Sequence, residues 1–184
     1  SQNNEIMIDL DNTLEEISKN FKPILRNELK KNYNEISYEV IDKNNYSSQD
    51  IIDMKKINEN IPTLEKRSLK TWLINEKWIL NNEAFLVKIV EKSETIGFSM
   101  FYFNNITCKY FASCIHTKFF KTYKNLQHLA IWKAIQHIKP FCKYFYLGLA
   151  VEKSIENISV KEMNIGKFKL KFNKITEKSF IINL

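Results

Sequence analysis

The segment between Ala84 and Ala150 constrains the fold most, because its hydrophobic period changes from strand-like to helical and back again. Three apolar runs rich in aromatic and β-branched residues come first, a composition that favours strands. These runs cover 84–90, 96–103 and 106–115. The short polar stretches between them, Lys92-Ser93-Glu94 and Asn104-Asn105, are typical of turns. The pattern predicts three successive antiparallel strands.

The clearest helical pattern follows, from Tyr123 to Ile138, and Pro140 ends it. Its apolar residues recur at the spacing of one helix face, as shown by Leu126, Ala130, Ala134 and Ile138. The apolar run from Tyr144 to Ala150 then suits a buried strand. A strand, helix, strand order with short connections favours a right-handed crossover, so we expect this strand to lie parallel to the strand before the helix.

The remaining segments predict four helices and two more strands. The helices cover 13–33, 47–60, 68–81 and 154–163, and the strands cover 36–41 and 174–184. Pro23 is awkward inside the first helix, which leaves a break or a late start open. The expected architecture is a single α/β (α+β) domain spanning 1–184, in which helices flank a mixed, mostly antiparallel central sheet.

Composition narrows the classes of protein. The 28 Lys and Arg exceed the 21 Asp and Glu, and a net charge of +7 favours anionic partners. The three cysteines have no paired spacing, so neither a disulfide framework nor a zinc site is predicted. No apolar run approaches the roughly 18 residues of a membrane helix, so we expect no integral membrane segment and a cytoplasmic location.

Several local sequences carry a resemblance to a known family. They are Glu83-Ala84-Phe85-Leu86-Val87, Ile96-Gly97-Phe98-Ser99, Lys109-Tyr110-Phe111-Ala112-Ser113, Asn125-Leu126-Gln127-His128 with the helix after it, Tyr146-Leu147-Gly148, and Ile165 to Phe172. This succession resembles the FemAB-like aminoacyl-tRNA-dependent transferases, which belong to the GNAT acyltransferase superfamily. The match is loose at first and more specific after Ala84. The resemblance implies a GNAT-like acyl-CoA N-acyltransferase fold.

The resemblance also implies a function and a domain organisation. Members of the family transfer an aminoacyl group from tRNA to an amine of a cell-wall precursor, and related members modify other surface polymers. They usually have two such domains, whereas this chain has room for one. We therefore expect one half of a longer two-domain protein, or a domain that works alone or as a homodimer.

Lys169 is the first catalytic candidate, because it matches the Lys of the closing Phe-Lys-x-x-Phe motif of the family. Acyl transfer needs positive charge where the oxyanion develops, and Lys169 could supply it while Phe168 positions it. The alternation of Lys167, Lys169 and Lys171 with apolar residues also fits an amphipathic strand with a solvated face. Both interpretations stay open. Asn173 stands where the family motif continues with Gly.

Four further candidates lie on the predicted long helix and the strands beside it. His128 is a candidate base or hydrogen-bond donor, because its ordinary pKa lies near neutrality. Tyr110 is a candidate proton donor, and Tyr146 is expected to line the cleft between the strands. The resemblance adds Trp132, on the same helix as His128, as a substrate-binding residue. Core packing is the alternative role for each of them.

Arg67 and Trp72 lie in a stretch that resembles an Arg-Ser-x-x-Thr-Trp patch of some family members. The resemblance implies that they contact an anionic acceptor, with ordinary surface and core roles as the alternative. Cys114 and His116 share a predicted strand face, but nothing nearby suggests an oxyanion loop or an orienting carboxylate. No spacing of His, Asp or Glu predicts a metal site.

The segment from Lys118 to Asn125 contains no glycine. Coenzyme-A-dependent GNAT enzymes usually hold the pyrophosphate with a glycine-containing loop at this point. We therefore expect no bound cofactor, and aminoacyl-tRNA as donor in preference to a coenzyme A thioester. The leading function is acyl transfer to an amine of an anionic cell-wall or surface-polymer precursor. The alternatives are an acyl-CoA or acyl-carrier-dependent N-acetyltransferase and a non-catalytic half-domain that binds tRNA or glycan.

Overall fold

The computed structural model describes residues 2–31, 33–120, 122–150, 159–173 and 176–180. Seven strands form one sheet. They are β1 (Gln2–Asp9), β2 (Ile36–Ile41), β3 (Ala84–Glu91), β4 (Glu94–Phe103), β5 (Thr107–Ile115), β6 (Tyr144–Ala150) and β7 (Thr176–Phe180). Their order across the sheet is β2-β3-β4-β5-β6-β1-β7. The β5–β6 pair is parallel and the other neighbouring pairs are antiparallel, which confirms the predicted mixed, mostly antiparallel sheet.

Helices in the described ranges flank this sheet. They are α1 (Leu14–Asn20), α2 (Pro23–Leu29), α3 (Ser48–Glu59), α4 (Leu69–Leu80), α5 (Leu126–Ile138) and α6 (Val160–Lys169), with a short 3₁₀ turn at Thr117–Phe120. None of them is long and apolar enough to cross a membrane.

Local sequence explains where most helices begin. Capping boxes start α1 at Thr13, α3 at Ser47 and α6 at Ser159, each with a carboxylate three residues later that returns to the cap backbone. Ser68 caps α4 by accepting from the Thr71 amide. These contacts satisfy backbone donors that the first turn of a helix leaves without partners.

Alternation along β3 separates two hydrophobic cores. Phe85 and Val87 belong to the core on the face that carries α1, α2 and α5, whereas Ala84 and Leu86 belong to the core on the face that carries α3 and α4. Successive strand residues point to opposite faces, so a strand covered by helices on both sides is apolar along most of its length. The protein therefore has three layers, with the sheet in the middle.

The helix predicted over 13–33 is broken at Pro23, which is the break that the sequence left open. α1 ends before Phe21, and α2 begins at Pro23. Proline lacks the amide hydrogen that an uninterrupted helix needs, but it suits the first position of a new one. The Arg26 guanidinium donates to the carbonyls of Lys19 and Phe21, at 2.8 and 3.0 Å, and thereby stabilises the break.

The N-terminal strand β1 was not predicted. Its first half is polar, yet it lies between β6 and β7 and pairs with both. Ile6 and Ile8 are its core residues, at 0% and 4% exposure. Two alternating apolar residues after an Asn-rich start gave too weak a pattern for a strand inside a sheet.

The last helix was predicted too early in the chain. The prediction covered 154–163, of which 154–158 lie outside the described residues, whereas α6 covers Val160–Lys169. The alternation of Lys167 and Lys169 with apolar residues therefore belongs to the end of a helix, and the amphipathic-strand interpretation was wrong. The closing strand is present as β7, within the predicted 174–184.

Candidate functional site

An opening in the sheet lies between the parallel strands β5 and β6. Their ladder has three rungs, Thr107 with Tyr144, Cys108 with Phe145, and Lys109 with Tyr146. Both strands continue beyond the last rung, to Ile115 and Ala150, without pairing to each other. We call this gap the β5–β6 opening.

Both strands carry a bulge just beyond the last rung. On β5, Met100 pairs with Ala112 and Phe101 with Tyr110, which leaves Phe111 as the extra residue. On β6, Ile6 pairs with Gly148 and Met7 with Tyr146, which leaves Leu147 as the extra residue. A bulge bends its strand and ends regular pairing. The two bulges therefore account for the separation of the strands.

Tyr110 is the first β5 residue in the opening. Gln127 Nε2, in the first turn of α5, lies 2.5 Å from its hydroxyl oxygen and donates to it. Ser113, whose Oγ accepts from Ser99 Oγ at 3.1 Å, lies near the same hydroxyl. Burial raises the pKa of Tyr110 to about 12, so the phenol is protonated at neutral pH. It can serve as a hydrogen-bond or proton donor.

Lys169 lies on the opposite edge of the opening. Gly148 on β6 has a φ of +78°, and a Cβ built there would lie 3.1 Å from Lys169 Nζ. Burial lowers the pKa of Lys169, while the Glu5 carboxylate on β1 acts in the opposite direction. The absence of a side chain at Gly148 thus lets the ammonium approach the β6 backbone.

α6 crosses from one face of the sheet to the other as it brings Lys169 to this edge. At its start, Lys161 Nζ donates to the Thr63 carbonyl between α3 and α4, at 3.0 Å. Near its end, the Phe168 ring stacks on His128 of α5 at a centroid distance of 4.6 Å. This contact holds the end of α6, which carries Lys169, against α5.

His128 is buried, with 4% exposure. Its Nδ1 lies 3.0 Å from Glu28 Oε2, and Lys171 Nζ lies 3.2 Å from Glu28 Oε1. Burial, aided by the Lys171 ammonium, lowers the pKa of His128 to about 3. Because Lys171 already balances the Glu28 charge, His128 is neutral at physiological pH. This cluster joins α2, α5 and the end of α6.

The other two predicted binding residues have different surroundings. Trp132 packs edge-to-face on Phe21 at 5.5 Å, on the α1 side of α5. Tyr146 forms the last rung of the β5–β6 ladder, and Lys109 Nζ lies 5.3 Å from its ring centroid. The structure thus places Tyr146 at the base of the opening and Trp132 in the packing between helices.

Arg67 and Trp72 lie together on the α3–α4 face. The Arg67 guanidinium lies 4.5 Å from the ring centroid of Phe111, the bulged residue next to Tyr110, and 5.9 Å from that of Trp72. Trp72 Nε1 and the side-chain nitrogen of Asn75 are buried donors without hydrogen-bond partners among the described residues. No carboxylate in the same ranges lies within ion-pair distance of Arg67. This group of donors suits an anion or a carbonyl oxygen.

Cys114 lies on β5 but His116 follows the end of that strand, so the prediction that both share a strand was wrong, and the thiol is not a nucleophile. Cys114 Sγ donates to the Met54 carbonyl at 3.5 Å, and burial raises its pKa to about 12. His116 instead lines a surface recess of about 390 Å³ against α3, which none of the predicted site residues borders. Among the described residues, no group of three His, Cys, Asp or Glu side chains is placed to hold a metal ion.

Sequence reasoning missed three residues of the opening. Gln127 is an ordinary polar residue between apolar neighbours on α5, and its contact with Tyr110 joins distant segments. Glu5 lies on the strand that was not predicted. Gly148 was quoted only as part of a motif, although one of three glycines in 184 residues is a signal for a special backbone conformation.

Comparison with known proteins gives matches in structure only. No protein-family model matches the chain, and no curated protein sequence matches it. The structure of FemX superposes with a TM-score of 0.68 at 9% identity, over 92% of this chain and 58% of FemX. The C-terminal domain of a putative lysylphosphatidylglycerol synthetase from Agrobacterium fabrum gives 0.67 at 14% identity, over 97% of this chain and 59% of that one.

A GCN5-related N-acetyltransferase from Kribbella flavida also superposes, with a TM-score of 0.51 at 9% identity, over 90% of this chain and 53% of that chain. The protein therefore has a FemAB-like, GNAT-type fold, which confirms the fold predicted from the sequence. The chain spans somewhat less than 60% of the length of each of these neighbours. Identities this low show the fold alone.

Proposed function

We propose that this domain transfers an aminoacyl or acyl group to an amine on a cell-wall or surface-polymer precursor. The β5–β6 opening carries this proposal, because its edges hold a protonated phenol, Tyr110, and a partly desolvated ammonium, Lys169. Acyl transfer needs a place for the donor carbonyl, positive charge beside the developing oxyanion and a proton for the leaving group. The opening offers all three.

The proposed chemistry assigns each group one task. The acceptor amine attacks the donor carbonyl carbon, and Lys169 stabilises the negative oxygen of the tetrahedral intermediate. As the carbonyl re-forms, the bond to the leaving group breaks and Tyr110 protonates that group, while the acceptor nitrogen releases its extra proton to solvent. The phenol then regains a proton from solvent. In this scheme His128, which is neutral and buried, positions Phe168 and Lys169 and does not exchange protons.

The acceptor is proposed to approach from the α3–α4 face. Arg67 lies over the bulged Phe111, so its charge is next to the opening but on the other side of the sheet from Tyr110. An anionic group of the precursor would pair with Arg67, and the Trp72 indole N–H and the Asn75 side-chain amide would donate to its oxygen atoms. The similarity in fold to FemX and to a putative lysylphosphatidylglycerol synthetase supports an aminoacyl transferase that acts on a cell-surface component.

Aminoacyl-tRNA is the proposed donor. The segment from Lys118 to Asn125 has no glycine to cradle a pyrophosphate, and the side chain of Asn125, at the start of α5, donates to the Glu28 carbonyl at 2.6 Å. The net charge of +7 suits a polyanionic donor. A coenzyme A thioester remains the alternative donor, for which the GNAT-type fold is the supporting observation.

The test compares Lys169→Ala with Lys167→Ala, which removes an exposed lysine from the same helix. Turnover is measured with aminoacyl-tRNA and amine-bearing cell-wall precursors, and donor binding is measured in parallel. Loss of one charge contact to the oxyanion is expected to lower kcat by about 10²–10³-fold while donor affinity changes little. Lys167→Ala should behave as the unaltered protein. Loss of binding and turnover together would show that Lys169 holds the donor, and wild-type turnover in Lys169→Ala would contradict its role at the oxyanion. Donor binding without any turnover in the unaltered protein would instead favour a non-catalytic binding half-domain.

A further inference from the structure

One face of α4 exposes three leucines. Leu69, Leu73 and Leu80 are 64%, 50% and 55% exposed, whereas Trp72 and Ile79, roughly 60–120° further round the helix, are buried. At 100° per residue the three leucines fall within about 40° of arc and so lie on one side of the helix, with Glu76 beside that arc between Leu73 and Leu80. An isolated exposed leucine needs no explanation, but three in line on one helix mark an interaction surface.

Lysines border this stripe. Lys70 and Lys77 lie on the helix beside the leucines, and Lys66 lies just before the helix begins; all three are exposed. In the described ranges no carboxylate lies within ion-pair distance of any of them. Of the nearby acidic residues, Glu76 accepts from the Tyr46 hydroxyl at 2.9 Å, and Glu65 precedes Lys66. The surface is therefore both apolar and cationic.

We infer that α4 docks on the surface of an anionic lipid bilayer, with the leucines inserted among the acyl chains and the lysines at the level of the headgroups. Lysine stems cover apolar surface while their ammonium groups stay in water, which suits positions beside the leucines. A 12-residue helix is about 18 Å long, too short to cross the roughly 30 Å hydrocarbon core, so it lies in the plane of the interface.

Other occupants fit this surface less well. A two-fold dimer through α4 would bring the lysines of two copies together, and the buried centres of protein interfaces are depleted in lysine. A nucleic acid would pair with the lysines but leave the leucines in water. The bilayer is the occupant that matches both. This docking does not depend on the proposed function, but it would bring Arg67, which immediately precedes the cap of α4, close to the headgroups.

The test is sedimentation with vesicles of phosphatidylcholine alone and of phosphatidylcholine with phosphatidylglycerol. The protein is expected to pellet with the anionic vesicles and to be released by salt. Replacing Lys70 and Lys77 by Gln should lower the partition coefficient about twentyfold, from roughly fivefold per lysine near a charged surface. Replacing Leu69 and Leu73 by Ser should lower it at least about tenfold.

The matched control lies on the opposite face of the molecule. Ile24→Ser with Lys30→Gln removes one exposed apolar group and one exposed lysine from α2 and its end, and should leave binding unchanged. Far-UV circular dichroism shows whether each variant is folded. The inference is overturned by equal pelleting with both vesicle types, by full binding of either α4 variant, or by a dimer that the α4 changes convert to a monomer. No activity is measured, so the result leaves the proposed function untouched.

Discussion

Replacing Gly148 by Ala tests whether the backbone of β6 sets the position of Lys169. The φ of +78° is outside the range that side-chain-bearing residues prefer, and strain of this kind costs roughly 1–2 kcal/mol. For a protein of this size that corresponds to a Tm lower by about 3–6 °C. The new Cβ would also lie 3.1 Å from Lys169 Nζ, so the ammonium must move by a few tenths of an ångström.

The displacement of Lys169 should lower the rate of catalysis as well. A misplacement of about 1 Å costs about 10²-fold in rate, so a few tenths of an ångström should lower kcat about tenfold. The assay is steady-state transfer from aminoacyl-tRNA, with thermal unfolding followed on the same samples. Asn82→Ala is the control, because it places alanine at a φ of 62° in the turn after α4 and strains the backbone without touching the opening.

The double variant with Lys169→Ala separates the two effects. If Gly148→Ala acts on turnover through Lys169, it should lower kcat no further once that lysine is absent, while its effect on Tm should add as usual. A Gly148→Ala protein with the expected loss of Tm but unchanged kcat would refute this reasoning. Independent losses of kcat in the double variant would do the same.

Three other changes test separate parts of the structure. Lys169→Arg should extend activity to higher pH. The active form of Lys169 is the charged one, and its charge is lost as pH rises through a pKa below the usual 10.5, whereas arginine keeps its proton. An unchanged alkaline limb of the pH–activity profile in the variant would contradict this. His128 should show no NMR titration between pH 5 and 8, and an NMR titration midpoint near pH 6.5 would refute the assignment. The free energy of unfolding should fall by about 2 kcal/mol more in the unaltered protein than in His128→Gln when the pH is lowered from 6.5 to 5. The reason is that the unfolded state binds a proton that the buried imidazole does not bind. Gly97→Ala should lower the free energy of unfolding, measured in urea, by about 1–3 kcal/mol, because its Cβ would lie 2.8 Å from the Cys114 carbonyl oxygen. An unchanged free energy of unfolding would show that the β5 backbone shifts to relieve this contact at little cost.

The strands and helices between Ile36 and Ala150 could be predicted because their apolar residues keep one period over a long segment, and because capping residues or prolines mark the ends of these segments. β2 and β6 have the predicted bounds, and Ser47 and Ser68 cap α3 and α4. The ends of the chain were harder to predict. β1 has two alternating apolar residues, and α6 has an alternation of lysine and apolar residues that is equally typical of a strand.

The candidate site could be predicted only in part. Tyr110 and Lys169 were named from a motif resemblance, and the structure places them on the two edges of one opening. The opening itself arises from bulges at Phe111 and Leu147, and neither residue type predicts a bulge from the sequence. The contact of Gln127 with Tyr110 depends on how α5 packs on the sheet, which a local pattern does not contain. Distant pairing of this kind follows from the tertiary fold.

The central claim is that the β5–β6 opening receives an acyl group carried by tRNA. The most direct measurement is parallel binding of the protein to aminoacyl-tRNA, uncharged tRNA and acetyl-coenzyme A at one stated salt concentration, because phosphate-driven affinity falls steeply with ionic strength. We predict tighter binding of aminoacyl-tRNA than of uncharged tRNA, a preference that Tyr110→Phe weakens, and no saturable binding of acetyl-coenzyme A. Saturable acetyl-coenzyme A binding without any preference for charged tRNA would contradict the claim.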